Sequence, residues 1–238
     1  MLALRYSVVV PAHNESENLT VLLPRLMNAL QTLNGTYEVI IVDNASTDST
    51  GRVINERMAT MSQLRLVKEP TLGYGRAVLA GLAAARGEYL GIIRADNQEK
   101  SEDLVRMFAA LERDGVALYK AVRKNRINDG LKRIIISRVY NLLFKLLFGL
   151  RSRDLNATPK VFTREFMETS RLRSKDWFID AEMVIKAERT GLPVGEMEIE
   201  YLPRLHGKST VRLRHIFEFL RNMLWWHQRV RHGKLLEE

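Results

Sequence analysis

"YEVIIVDNASTDST", residues 37–50, decides how the chain is read. Tyr37, Val39, Ile40, Ile41 and Val42 are aromatic or β-branched, the side chains a pleated strand accommodates best. The run ends at Asp43. A polar turn follows, with Ser46 or Asp48 placed to cap a helix. Strand, polar tip and helix together make half of a βαβ unit. In parallel sheets built from such units, ligands bind beyond the carboxyl ends of the strands.

The same rhythm continues on both sides. Upstream, "YSVVVP" (6–11) is a short apolar run stopped by Pro11. After "AHNES", Leu19, Leu22, Leu23, Leu26, Leu30 and Leu33 recur at helical spacing. Pro24 inside that pattern predicts a bend or a late helix start. Downstream, the pattern predicts helices over 50–61, 76–86 and 102–114, with strands at "LRLVKE" (64–69) and "EYLGIIRAD" (88–96). This alternation predicts an α/β fold with a mostly parallel sheet and helices on both faces. Residues 11–15, 43–48 and 94–99 all fall at strand ends, so three polar clusters should meet in one crevice.

Past "ALYKAV" (117–122) the texture changes. "GLKRIIISRVYNLLFKLLFGLRSR" (130–153) is apolar with recurring basic residues, and a final helix is expected over about 210–231, containing "IFEFLRNMLWWHQRVR". Amphipathic helices with basic flanks and Phe217, Phe219, Trp225 and Trp226 suit a headgroup boundary; core packing is the competing reading, especially for 139–148. The chain has 238 residues, 46% hydrophobic and 27% charged, as a globular protein does. No cysteine is present, which excludes disulfides and thiolate metal sites and fits a reducing compartment. Neither a signal peptide nor a membrane-length apolar run is expected. A net charge of +9 favours an anionic partner. Nucleic acid would rest on charge alone, since no nucleic-acid-binding signature accompanies it.

Four stretches in order carry a resemblance: "VVVPAHNESENL" (8–19), "VIIVDNASTDST" (39–50), "GYGRAVLAGLAAARGEYL" (73–90) and "RADNQ" (94–98). They resemble the family-two inverting glycosyltransferases, in particular the branch of dolichol-phosphate mannose synthase and related polyprenyl-phosphate glycosyltransferases. The likeness runs from about Ser7 to about Thr210. It implies a GT-A fold, a Rossmann-like domain that binds a nucleotide sugar. The expected layout is a GT-A domain over 1–205, with a nucleotide-sugar half (about 1–115) and an acceptor half (about 116–205) whose amphipathic helices lie at 130–149. An amphipathic C-terminal helix would occupy 206–238.

The resemblance also assigns roles. Asp43 would accept hydrogen bonds from base or ribose, with Pro11 and Glu15 lining the nucleoside. Asn44 stands where relatives carry a second aspartate. Gly73 and Gly75 precede a helix and are candidates for the phosphate side, although such a pair more often marks a turn. "RADNQ" corresponds to an Asp-x-Asp-x-Gln segment that holds Mg²⁺ or Mn²⁺ against the diphosphate. Asp96 and Gln98 match as metal ligands, but the first aspartate is Arg94. Either Arg94 pairs with Asp96 or Glu99, or its guanidinium supplements the metal's charge on the phosphates. The expectation is a weakened metal site.

On the acceptor side, Arg133 and Ser137 have the spacing of a lipid-phosphate pair on one helix face, and Arg123 aligns with a further phosphate-binding arginine. "RDLNATPKVFTREF" (153–166) resembles a core segment with Asp154 as its acid. "WFIDAEMVIKAERTG" (177–191) resembles a helix whose acid, Glu182 or alternatively Asp180, faces the site; for Asp180 a helix cap is the competing reading. "YLPRLHGKST" (201–210) places Arg204, Lys208 and Ser209 at the diphosphate. Together these imply transfer of a hexose, mannose or glucose, from a GDP- or UDP-linked sugar to a polyprenyl phosphate. Asp96, Arg133, Ser137, Glu182 and Arg204 are the expected catalytic residues. The protein would be cytoplasmic and peripheral to an anionic membrane. The alternative is a non-catalytic nucleotide-sugar or lipid-phosphate binder with a degenerate metal site.

Overall fold

The computed structural model describes residues 4–124, 131–205 and 213–237, with side chains for 4–124, 139–205 and 219–237. The chain begins as β1 (Tyr6–Ala12), α1 (Ser16–Leu30), β2 (Tyr37–Asn44), α2 (Thr50–Met58), β3 (Leu64–Glu69), α3 (Tyr74–Ala84), β4 (Tyr89–Ile92) and α4 (Ser101–Asp114). It continues as β5 (Leu118–Lys124), α5 (Leu131–Phe148), β6 (Lys160–Thr163), α6 (Arg164–Ser170), α7 (Ile179–Arg189), β7 (Val194–Glu200) and α8 (Leu213–Arg231). The strands form one seven-stranded sheet in the order β3-β2-β1-β4-β6-β5-β7. β6 runs antiparallel to both neighbours, and every other pairing is parallel. The carboxyl ends of β1, β2, β4, β5 and β7 therefore share one edge with the amino end of β6.

Both faces of the sheet are covered at its centre, which explains why β1, β2 and β4 read as continuous apolar runs rather than alternating ones. Val9, Ile40, Val42, Leu90 and Ile92 enter the core packed by α3, α7 and α8, whereas Val8, Val10, Val39 and Ile41 enter the core of α1 and α4. Gly81 of α3 lies against β1 and β2, where an added Cβ would come within 2.3 Å of a Val9 methyl. That close approach seats the helix on the sheet.

Helix α1 starts at Ser16 and includes Pro24, so the proline does not mark a late start. The pattern-based helices begin and end within a few residues of the observed ones. Strands β5, β6 and β7 had no strand signal assigned to them. β6 is four residues long, and it carries a lysine into the sheet.

Over 139–148, helix α5 packs one face into the core and leaves an apolar stripe exposed on the other. Phe144 and Phe148 are buried at 0% and 1% exposure, while Val139, Leu142 and Leu146 are 52%, 56% and 73% exposed. The exposed trio follows i, i+3, i+7 spacing and so forms one stripe. The buried face packs on α8 through Tyr140–Phe219 and Phe144–Phe219 ring contacts. Of the tryptophans on α8, Trp226 is core at 2% exposure and Trp225 is 43% exposed. No described helix is long and apolar enough to cross a membrane.

Candidate active site

The strand ends are held by local polar turns. Asn14, Ala45 and Asn97 follow β1, β2 and β4, each with a left-handed backbone (φ of 56°, 53° and 58°). Asn tolerates this region through its short polar side chain, and such strained positions gather at functional sites. Asn14 Oδ1 accepts hydrogen bonds from the Thr47 and Asp48 amides at 2.7 and 3.2 Å, tying the β1 turn to the β2 turn. The N-cap of α2 is Ser49, not Ser46 or Asp48, and it makes no side-chain cap; Asp48, one residue earlier, accepts from the Thr50 amide at 2.9 Å and from the Ser16 hydroxyl at 2.8 Å. Asp43 Oδ1 accepts the Ser46 amide at 3.2 Å. Pro11, one residue from the end of β1, is in register with Val42, and Ala12 with Asp43.

Asn44 has a distinct task. Its amide donates to the Glu69 and Thr71 carbonyls at 3.2 and 2.8 Å, and its Oδ1 accepts the Gly73 amide at 2.8 Å. A carboxylate could not make the two donated bonds. The Gly73 and Gly75 pair faces protein backbone: an added Cβ would lie 2.7 Å from the Lys175 carbonyl and 2.3 Å from the Ser174 carbonyl. These glycines let α3 approach the 174–176 loop, and the Gly73 amide is already engaged by Asn44.

At the end of β4, Asp96 is 3% exposed. Its Oδ2 accepts from the Arg204 guanidinium at 2.7 Å, and its Oδ1 accepts the Gln98 amide at 3.2 Å. Arg204 also lies 3.9 Å from Glu15 Oε1. Burial raises the pKa of Glu15, and repulsion from Asp96 adds to the shift, against the Asn18 hydrogen bond and the Arg204 charge. Gln98 is braced by the chain before Arg204, donating to the Leu202 carbonyl at 3.3 Å and accepting the Leu202 amide on its own carbonyl at 2.9 Å. Glu15, Asp96, Gln98 and Arg204, distant in sequence, thus meet at one point of the crevice.

Arg94 takes the pairing alternative. Its Nε donates to Glu99 Oε1 at 2.8 Å, its amide to Glu99 Oε2 at 3.1 Å, and its terminal nitrogen to the Tyr201 hydroxyl. Glu99 is fully buried and also accepts from Thr158 and Tyr201. Arg123 forms a two-pronged pair with Asp154 at 2.8 and 2.6 Å. Both guanidiniums lie 5.4 Å from the Tyr201 ring. Tyr201 was missed from sequence. A tyrosine seven residues after the start of an edge strand carries no local signal of that kind.

The acids of α7 separate, as positions i and i+2 of a helix must. Asp180 accepts from Lys160 Nζ at 2.8 Å, at the crevice end of β6. Glu182, also fully buried, accepts the Arg173 and Ser174 amides at 3.0 and 2.7 Å and pairs with Lys186 at 2.7 Å. Its carboxylate pins the 173–174 loop, and neither acid donates the cap of α7. Arg133 and Ser137 lie on α5, where only the backbone is described. Lys208 and Ser209 lie outside the described residues.

Residues 7–176 match the profile described as glycosyl transferase family 2. The chain belongs to this family. Among curated relatives it is 28% identical, over 201 residues, to an undecaprenyl-phosphate 4-deoxy-4-formamido-L-arabinose transferase of Salmonella choleraesuis. The alignment covers 83% of this chain and 61% of the relative, and the Salmonella paratyphi B enzyme of the same name gives the same figures. The chain therefore spans less than two thirds of the length of these relatives. In three dimensions it resembles glucosyl-3-phosphoglycerate synthase from Mycobacterium tuberculosis. The complex of that enzyme with Mn²⁺, UDP and phosphoglyceric acid superposes with a TM-score of 0.71 at 20% identity, covering 97% of this chain and 78% of the other. The complex with Mn²⁺, UDP-glucose and phosphoglyceric acid gives 0.69 at 20% identity, covering 96% and 80%. These likenesses establish a GT-A glycosyltransferase fold for this family 2 chain.

The residues suit Mg²⁺ or Mn²⁺ in part. Asp96, Glu15 and the Gln98 carbonyl are hard oxygen donors, the type such ions take. Among the described residues no three acids or histidines come together as a metal-binding group. A hard divalent ion surrounds itself with about six oxygens, so donor phosphates and water would complete the shell here.

Proposed function

We propose that this family 2 glycosyltransferase moves a hexose, mannose or glucose, from a GDP- or UDP-linked sugar onto a polyprenyl phosphate, with inversion at the anomeric carbon. The observation that carries this reading is the meeting of Glu15, Asp96, Gln98 and Arg204 at the carboxyl edge of the sheet. Asp43, Pro11 and Glu15 would receive the nucleoside. Arg204, with Lys208 and Ser209 further along the chain, would receive the diphosphate. The ion would be weakly held at Asp96 and Gln98, stabilising charge on the departing diphosphate when bound. Arg133, Ser137 and Arg123 would hold the acceptor phosphate. A phosphate monoester is anionic at neutral pH, so the protein's contribution is alignment and charge stabilisation rather than proton removal. The names of the Salmonella relatives support the polyprenyl-phosphate acceptor.

The exposed Val139–Leu142–Leu146 stripe supports a membrane-surface setting, where the acceptor resides. Asn44 and Arg94, the departures that suggested a degenerate binder, each have internal partners. Their retention thus has a structural reason compatible with activity.

The test is to incubate the protein with labelled GDP-mannose or UDP-glucose, vesicles containing a polyprenyl phosphate, and Mn²⁺ or Mg²⁺. Label extractable with lipid is expected from one of the two donors. Saturable donor binding without lipid-linked label from either donor would favour the binding-only relative.

A further inference from the structure

Around Asp96 a cation is already in place before any ligand arrives. Arg204 is the cation on its Oδ2, at 2.7 Å, and it reaches toward Glu15 as well. Those two carboxylates are hard anionic donors for a divalent ion, so Arg204 and the ion compete for the same oxygens. Arg94, two residues before Asp96, is committed to Glu99 and Tyr201. Arg204 differs in its setting. Its side chain is 25% exposed, and it sits in the segment after β7, outside regular structure.

We infer that Arg204 is a displaceable internal counter-ion that closes the metal position on Asp96 until a nucleoside diphosphate draws the guanidinium onto its phosphates. This deepens the nucleotide-sugar reading of the same site and rests on it. Arginine suits both states, because its planar fork matches a carboxylate and a phosphate alike. A diphosphate carries more charge than the single Asp96 carboxylate. Once Arg204 turns to it, Asp96 regains an open oxygen beside newly supplied phosphate oxygens. Donor and metal then bind with positive coupling, which linkage makes reciprocal.

The test reads metal binding directly, on the full chain, without acceptor or turnover. Free Mn²⁺ is followed by its electron paramagnetic resonance signal during titration, with and without UDP or GDP. Wild-type protein should bind Mn²⁺ poorly alone and on the order of tenfold or more tightly with a nucleoside diphosphate. Arg204→Met, which keeps the stem but removes the charge, should bind Mn²⁺ without nucleotide on the order of tenfold more tightly than wild type. In that variant UDP or GDP should still add phosphate oxygens, so the nucleotide gain should persist but be smaller than in wild type. Arg204→Lys should remain close to wild type without nucleotide, and Asp96→Asn combined with Arg204→Met should cancel the gain. The inference is overturned if Arg204→Met binds Mn²⁺ no better than wild type, if Arg204→Lys gains as much as Arg204→Met, or if the gain survives loss of the Asp96 charge. Failure of the transfer assay with this Mn²⁺ pattern intact would favour the binding-only relative and leave the counter-ion role standing.

Discussion

Asn44 and Arg94 stand where an acid is expected, and the structure gives each a neighbourhood that an acid could not serve. Asn44 is 3% exposed and donates two hydrogen bonds to main-chain carbonyls. In Asn44→Asp those carbonyls would face a carboxylate with no proton to give. Leaving buried polar groups unsatisfied costs about 1–3 kcal/mol, more where charge is involved. A fall of at least that size in unfolding free energy, measured by urea denaturation, is expected; an unchanged midpoint would mean that the Glu69–Gly73 turn is not held by Asn44. Arg94 neutralises Glu99, whose side chain is fully buried. Removing one partner of a buried pair costs about 3–5 kcal/mol because the other charge is stranded. Arg94→Met should fall in that range. Arg94→Met combined with Glu99→Gln should recover part of the loss, and strict additivity of the two single changes would show that the pair is not coupled.

Helix α5 bears out core packing on one face and leaves an apolar stripe exposed on the other. Its apolar residues exceed what one buried face needs, and the excess lies on the outer side. Phe144→Ala should destabilise by about 3–5 kcal/mol, the range for emptying a packed aromatic site. Replacing Val139, Leu142 and Leu146 together by serine should leave the unfolding midpoint nearly unchanged, since surface changes cost little. The same triple variant should bind anionic vesicles more weakly in a flotation assay at low salt. Equal flotation of wild type and variant would remove the stripe from the membrane-facing surface. Trp226 belongs with the core face. It is almost fully buried, and its ring lies 6.3 Å from that of Phe178.

At the scale of the molecule, lysines are enclosed on and beside β5 and β6, and this shapes stability against pH. Lys120 on β5 is fully buried, and burial pushes its pKa down to about 8 against the pull of Glu196. Unfolded, it would hold its proton to roughly pH 10.4. Between those values the unfolded chain binds more protons, so stability rises with pH. Below about 8 both states are protonated, and the penalty of burying the ammonium is fully present. Lys160 and Lys186, whose pKa values burial also lowers, act in the same direction. Tyr6 opposes them above roughly pH 10, because its raised pKa makes unfolding release its proton. The denaturation midpoint should therefore climb from about pH 8 to about pH 10, and Lys120→Met should flatten part of that climb. A wild-type midpoint that falls across this interval would contradict the buried-lysine account.

What the sequence by itself determined was the set of local patterns: β-branched runs ending in polar tips, leucines at helical spacing, and hence a parallel sheet whose strand ends converge. These patterns are legible because propensity and periodicity act over a few residues. The convergence of Glu15 with Asp96 follows from that layout, since parallel strands share an edge. Tertiary structure alone decided the partners. Arg94 had both Asp96 and Glu99 within local reach, and Tyr201, 107 positions away, completes the pairing with Glu99. The reversed β6 was hidden because four residues carry too little pattern to outweigh their neighbours. The two faces of α5 were indistinguishable by composition, for both are apolar; only the docking of α8 against one of them determined which residues became core.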